Sequence, residues 1–298
     1  MPNLAADPPL RLALGTAQFG QHYGIANQNG QVSLSEAKAI LAYASTCGID
    51  TLDTAIAYGN SELHLGQIGV QQWKVVSKLP AVPEGCRDIV QWVASSVEKS
   101  LQRLNIKSLY GLLLHRPQQL LEQGGDRLYY ALQRLKHDGV VQKIGISAYA
   151  PSDLDALCRR FQLDLVQVPF NILDRRLIVS GWLSRLSEQG IELHTRSVFL
   201  QGLLLMKPGD RPQKFARWSM LWSKLDEWFA RTGRTPLQAC LQYAMSFSQI
   251  NKVIVGVDNL RQLEEILHVA KMTDLQISDE LNSDDPDLLN PAHWATLA

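Results

Sequence analysis

Four side chains in this sequence are of types that together can move a proton to and from an oxygen: Asp53, Tyr58, Lys78 and His115. A tyrosine hydroxyl, with a pKa of about 10, donates poorly at neutral pH. A neighbouring ammonium favours the phenolate and lowers that pKa. An aspartate beside the ammonium keeps it charged and fixes its position, and an imidazole nearby can orient a carbonyl oxygen by hydrogen bonding. Such a set delivers a proton to an oxygen as negative charge builds on it. Reduction of a carbonyl by hydride requires that step and needs no metal. Taken singly, each residue has an ordinary explanation as a solvated strand cap or a packed ring. The set is more specific, because the acid, the ammonium and the imidazole each end or follow a short apolar run: Ile49–Asp53, Trp73–Lys78 and Leu109–Leu114.

Those runs belong to a regular alternation. Strand-length apolar segments at Arg11–Gly15, Ile49–Asp53, Trp73–Lys78, Leu109–Leu114, Ile144–Ser147, Leu163–Val168, Ile191–Thr195 and Lys252–Val255 are each followed by helical periodicity. The helical stretches are Leu34–Cys47, Asn60–Gly69, Arg87–Asn105, Leu128–Asp138, Pro151–Phe161, Arg176–Gln189, Ala216–Arg231, Pro236–Phe247 and Leu260–Ala270. In Arg87–Asn105 the residues Ile89, Val93, Val97, Leu101 and Leu104 form one apolar stripe, as expected for a helix packed on one side. Ser33 with Glu36 has the spacing of a capping box, and Thr235 with Pro236 pairs a cap with a first-turn proline.

Strands this short and uniformly apolar predict a parallel sheet covered by helices. Eight such β/α units predict a single-domain α/β protein, a (β/α)8 TIM barrel, with active-site residues at the C-terminal strand ends. The rival, a doubly wound open sheet, calls for a Gly-rich phosphate turn opening directly into a helix. Here Gly15-Thr16-Ala17-Gln18-Phe19-Gly20 leads into a polar loop instead. One domain over residues 1–298 is therefore expected, with the polar stretch 275–298 as a surface tail.

Composition narrows the partners. The 298 residues carry 29 Lys+Arg and 29 Asp+Glu, for a formal net charge of zero, which argues against a nucleic-acid partner held by a basic face. No run approaches the roughly 20 apolar residues that cross a bilayer. The first ten residues lack the pattern of a signal peptide. The four cysteines, Cys47, Cys86, Cys158 and Cys240, form no CxxC pair and read as scattered thiols rather than a metal site. A cytoplasmic protein is expected.

With those residues in place, the sequence resembles the aldo-keto reductase family over nearly its whole length. Asp53-Thr54-Ala55-Ile56-Ala57-Tyr58-Gly59 resembles the family's Asp-Thr-Ala-x-x-Tyr-Gly element, Ser77-Lys78 its strand-three lysine and Leu114-His115 its strand-four histidine. The resemblance implies a tetrad in which Tyr58 is the general acid/base, Lys78 and Asp53 tune it, and His115 orients the substrate. Gly145-Ile146-Ser147-Ala148 is similar to a Gly-x-Ser-Asn element that holds the nicotinamide carboxamide, with Ala148 in place of the asparagine. Gln167 corresponds to a glutamine on the same group.

The stretch from Thr195 to Leu204 is similar to the strand-seven loop, implying cofactor contacts from Arg196, Ser197, Phe199, Gln201 and Gly202. The family more often has a tyrosine and a proline in this loop, so Arg196 and Phe199 are departures. Further contacts are implied for Gly15, Thr16 and Ala17 after strand one, and for Val255, Gly256, Asp258, Asn259, Arg261, Gln262 and Glu265 around strand eight. NADPH-selective members often carry a cation three residues after the glycine, where this chain has Asn259, with Arg261 nearby as a substitute. The expected cofactor is NADPH, with NADH as the alternative, and no metal.

The implied activity is NAD(P)H-dependent reduction of an aldehyde or ketone, with sugar-derived carbonyls among the candidates, by a monomer acting on a small molecule. Two other functions compete with it. One is a non-catalytic, nicotinamide-binding regulatory protein that kept the fold. The other is a Schiff-base lyase using Lys78, which Asp53 opposes by holding the amine charged. Loop residues His22, Tyr23, Arg116, Arg217 and Trp218 are the candidates for shaping a substrate pocket.

Overall fold

Alternation of apolar strands and amphipathic helices closes on itself. The computed structural model describes residues 10–271 and 281–297. In it, eight parallel strands pair in chain order and the last returns to the first: β1 Leu12–Gly15, β2 Thr51–Asp53, β3 Lys74–Leu79, β4 Leu109–Leu114, β5 Val141–Ser147, β6 Leu165–Pro169, β7 Glu192–Arg196 and β8 Lys252–Gly256. This is the expected (β/α)8 barrel, and closure excludes the open doubly wound sheet. The strands are buried on both sides, which is why their sequences do not alternate. Val76, Leu113 and Leu165 fill the barrel interior as a cluster of their own, and the larger apolar core lies between strands and helices.

Register brings the functional positions level. Gly15 pairs with both Asp53 and Gly256, Ser147 with Gln167, and Pro169 with Arg196. The opposite, N-terminal end of the barrel carries a charged floor. There the Glu192 carboxylate takes Tyr110, His194 and Lys143, and Asp50 takes Lys74 and Lys252.

Helix starts follow local chemistry. Thr235 and Gln238 form a complete capping box. Ser33 accepts from the Glu36 N–H as its spacing predicts, but the Glu36 carboxylate accepts from the Leu260 N–H at 2.7 Å instead of reaching back. It thereby ties the first long helix, Leu34–Thr46, to the last, Leu260–Ala270.

Three expectations change. The single helix over Arg176–Gln189 is two segments, Arg176–Val179 and Trp182–Glu188, because Gly181 has φ of +74° between them. The helix over Ala216–Arg231 begins as a 3-10 turn, Gln213–Trp218, and becomes α-helical over Ser219–Thr232. The stretch 275–298 is not a surface tail where the structure describes it. Leu281, Leu288, Leu289 and Trp294 are buried, and the Trp294 ring packs edge-on against Phe215. Its polar residues face outward along an apolar anchor, which polarity alone had concealed. Residues 275–280 and 298 of that stretch lie outside the described residues.

Candidate active site

Asp53 ends β2 and Lys78 lies one residue from the end of β3, so adjacent strands place acid and ammonium together. Lys78 Nζ donates to Asp53 Oδ2 at 2.6 Å and to the Thr54 carbonyl at 3.0 Å, and Lys78 is 1% exposed. The second Asp53 oxygen accepts from Gln167 Nε2 at 2.7 Å, and Gln167 Oε1 in turn accepts from Ser147 Oγ at 3.1 Å. Four strands thus hold one buried polar chain. Burial draws Lys78 below the usual ammonium range, and the attraction of Asp53 opposes it. With both carboxylate oxygens and two of its own donors engaged, Lys78 is placed for holding a charge rather than for attacking a carbonyl.

Tyr58 stands on the loop between β2 and the helix Ser61–Ile68, and that loop is pinned at several points. Ser61 Oγ donates to the Thr16 carbonyl at 2.8 Å, the Ile56 N–H to the Lys78 carbonyl and the Asn60 N–H to the Gly20 carbonyl. Gly20 has no room for a side chain, since a Cβ there would lie 1.8 Å from the Tyr58 carbonyl oxygen. This close approach of two loops sets the Tyr58 backbone. The Tyr58 ring lies under Lys78 Nζ, 5.1 Å from its centroid, and meets His115 edge-on at 6.1 Å. His115 follows β4, where its N–H donates to the Leu79 carbonyl.

The field at Tyr58 differs from the simple expectation. Burial raises its pKa above the ordinary phenol value, the Asp53 charge adds to the rise, and Arg196 is the cation that opposes it. The reason is geometric. Lys78 is locked to Asp53, so the pair presents little net positive field to the hydroxyl. Burial, with Lys78 and Arg196 nearby, lowers His115 to about 4. The imidazole is therefore neutral at physiological pH and able to donate one hydrogen bond while accepting another.

A cleft of about 340 Å³ runs from Asp53 and Tyr58 across the ends of β1, β7 and β8. Of the residues expected at a cofactor, Gly15, Thr16, Ala17, Arg196, Ser197, Phe199, Gln201, Gly202, Gly256, Asp258, Gln262 and Glu265 line it. Five others do not. Ser147 and Gln167 are drawn into the chain that holds Asp53, and Val255 is buried. The Asn259 side chain caps its helix by accepting from the Gln262 N–H, and Arg261 is 86% exposed and pairs with Glu265 at 3.1 Å. A strand end or helix start dictates where a residue sits but not which way its side chain turns.

The cleft also has a covering loop that the local sequence did not reveal as such. Tyr23, Gly24, Ala26 and Asn27 line it. The Ala26 N–H donates to the Gln201 carbonyl, Gln201 Nε2 donates to the Tyr23 hydroxyl, and Asn27 Nδ2 donates to Asp258 Oδ1 at 3.2 Å. A Cβ on Gly202 would lie 2.5 Å from the Ala26 methyl, so glycine permits this docking. Across from it, Ser197, Leu200 and Gln201 hold left-handed backbone with φ between +48° and +61°. Such strain in non-glycine residues gathers at functional loops. Of the loop residues singled out for a substrate pocket, Tyr23 lines the cleft. Arg116 pairs with Glu122, Arg217 with Asp287, and Trp218 donates to Asp285.

Comparison with known proteins agrees with this geometry. The model of the Aldo/keto reductase family matches residues 11–282. The chain is 26% identical to D-threo-aldose 1-dehydrogenase of a Pseudomonas species, covering 90% of this chain and 94% of that protein. It is 27% identical to L-galactose dehydrogenase of Arabidopsis thaliana, covering 83% and 81%. The fold matches the solved structure of aldo-keto reductase AKR11C1 from Bacillus halodurans with a TM-score of 0.71, at 21% identity over 97% of this chain and 92% of that one. A family match spanning the whole barrel, on a site with this acid, ammonium, phenol and imidazole at one rim, leads to one conclusion: the chain belongs to the aldo/keto reductase family.

Proposed function

We propose that this oxidoreductase transfers hydride between a nicotinamide cofactor and a small carbonyl or its alcohol, with Tyr58 carrying the proton. The observation that carries the reading is the continuity of the cleft. It joins Tyr58 and Asp53 at one end to Asp258, Gln262 and Glu265 at the other, with Gly15, Gly202 and Gly256 among the residues that line it between them. That shape and donor set fit an extended dinucleotide, and a bound nicotinamide supplies the hydride. Gly15, Ser197, Phe199 and Gly202 would hold its nicotinamide half, and Asp258, Gln262 and Glu265 its adenosine half.

In the reducing direction the carbonyl oxygen sits between Tyr58 and neutral His115, and His115 donates a hydrogen bond that fixes its lone pair. As negative charge grows on that oxygen, the Tyr58 proton moves to it. Lys78 and Asp53 fix the phenol, and Arg196 stabilises the phenolate that remains. Oxidation runs the same proton path in reverse. The relatives named for aldose and galactose oxidation support a sugar-derived carbonyl or alcohol as the substrate class.

We read the far end of the cleft as suited to NADH, against the NADPH that the resemblance implied. Its charged lining residues are Asp258 and Glu265, and no lysine or arginine among the described residues lines that end. A carboxylate there accepts from a free ribose hydroxyl and repels a 2′-phosphate. Titration of the protein with each cofactor, followed by quenching of tryptophan fluorescence, is expected to give micromolar binding with NADH the tighter. Tyr58→Phe is expected to bind cofactor within about threefold of the parent and to lose at least 10³-fold in kcat, the upper half of the range for an acid/base group. Retention of most of its kcat would remove Tyr58 from the role.

A further inference from the structure

Among the described residues, no carboxylate pairs with the cation at the reacting end of the cleft. Arg196 ends β7, and its guanidinium lies over the Tyr149 ring with Cζ 4.6 Å from the centroid. Its Nη2 donates to the Ala148 carbonyl at 3.2 Å and its Nη1 meets Ser197 Oγ at 3.3 Å. These neutral contacts orient the group without neutralising it. The carboxylate at this end of the cleft, Asp53, is already taken by Lys78 at 2.6 Å and Gln167 at 2.7 Å. The other arginines raised by the sequence as substrate ligands, Arg116 and Arg217, are paired with carboxylates.

Counting charge at the reacting end gives an excess of one positive. Lys78 and Asp53 cancel, His115 is uncharged, and Arg196 remains. A half-buried guanidinium with unused donors beside a reacting carbonyl is a costly arrangement unless an anion meets it when ligand binds. Its planar fork matches a carboxylate or a phosphate.

We propose that Arg196 binds an anionic group, a carboxylate or phosphate, carried by the carbonyl substrate, so that this enzyme acts on acidic aldehydes or ketones and their alcohols. The catalytic part of this inference rests on the nicotinamide reading above, whereas the binding part does not. Arg196 is then the residue that separates a charged substrate from its neutral analogue.

Two measurements test it. The first needs no cofactor: succinate and inorganic phosphate are titrated against the whole protein by calorimetry, with Arg196→Gln and Arg196→Lys beside it. At least one anion is expected to bind the parent, with Kd raised tenfold or more in Arg196→Gln and less in Arg196→Lys. The anion that binds distinguishes carboxylate from phosphate. Equal affinity in parent and Arg196→Gln, or no binding of either anion, overturns the proposal.

The second compares kcat/KM for two matched pairs, succinic semialdehyde with butanal and glyceraldehyde 3-phosphate with glyceraldehyde. Arg196→Gln is expected to lower the ratio of kcat/KM on the charged member to kcat/KM on the neutral member by 10- to 100-fold in one pair, beyond whatever both members lose through the phenolate. An unchanged ratio overturns the proposal. A parallel fall on both members, accompanied by weaker NADH binding, assigns Arg196 to the cofactor and overturns the proposal. If neither nicotinamide binds the parent while the anion still does, the nicotinamide reading fails and the anion site stands.

Discussion

At the Tyr58 hydroxyl, Asp53 and Arg196 act in opposite directions on proton release, and the distance of each charge from its own partner decides which is felt. Lys78 is 2.6 Å from Asp53, so deleting the ammonium does more than remove a cation. It leaves the buried Asp53 carboxylate without its ammonium and with Gln167 as its remaining partner. An unscreened Asp53 charge disfavours the phenolate. Lys78→Met is therefore expected to move the basic limb of the kcat profile for reduction to higher pH, because that limb is where Tyr58 loses its proton. Its kcat at neutral pH is expected to fall at least 10-fold. The check is kcat measured from pH 6 to 11 in parent and variant, and an unmoved basic limb would mean that the pair does not tune Tyr58. The residue types and spacing of the tetrad were legible in the sequence because Asp53, Lys78 and His115 sit at or just beside strand ends and Tyr58 follows Asp53 by five residues. The balance of charge around Tyr58 was not, since it depends on Arg196 arriving from a strand 138 positions away.

The elements that matter most for chemistry are loops held by close backbone contact. Gly20 lets the loop after β1 touch the loop that carries Tyr58, where a Cβ would stand 1.8 Å from a carbonyl oxygen. Gly20→Ala must push those backbones apart. Since a displacement of about 1 Å at a reacting group can cost about 10²-fold, this variant is expected to lose roughly that factor in kcat. Its far-ultraviolet circular dichroism and NADH affinity are expected to change little. Activity within a few-fold of the parent would show that the Gly20 contact does not position Tyr58. Glycine at position 20 reads in sequence as one more turn residue. Only the pairing of two loops from different β/α units reveals it as a contact with Tyr58. The helices tell a similar story at Glu36: its spacing from Ser33 was readable, but its carboxylate found the Leu260 N–H across the barrel.

Over the whole molecule, the stretch beginning at Leu281 acts as a clasp on the barrel wall. Its Leu281, Leu288, Leu289 and Trp294 are buried and Trp294 packs on Phe215, while Trp218 donates to Asp285 and Arg217 pairs with Asp287. Buried side chains of this kind contribute about 1.5–3 kcal/mol each, offset in part by the entropy of ordering the segment. Ending the chain at residue 280 is expected to lower Tm by about 5–10 °C, on the scaling for a domain of this size, as measured by differential scanning calorimetry. An unchanged Tm would mean that the segment rests on the barrel without supporting it. No described helix is long and apolar enough to cross a membrane.

The sequence by itself determined the architecture and placed the acid, ammonium and imidazole of the proposed reacting centre, because eight short apolar runs with helices between them admit few closed solutions and these three residues need only their own strands to be placed. Tertiary structure alone decided the rest. It closed the loop of Tyr23, Ala26 and Asn27 over the cleft, turned Asn259 and Arg261 away from it, and drew Ser147 and Gln167 into the support of Asp53. It also left Arg196 lining the cleft with no carboxylate partner among the described residues. Each of these depends on which side chain meets which partner from a distant β/α unit. Local periodicity and spacing carry no information about that meeting, since it is set by hydrogen-bond competition and packing after the barrel has closed.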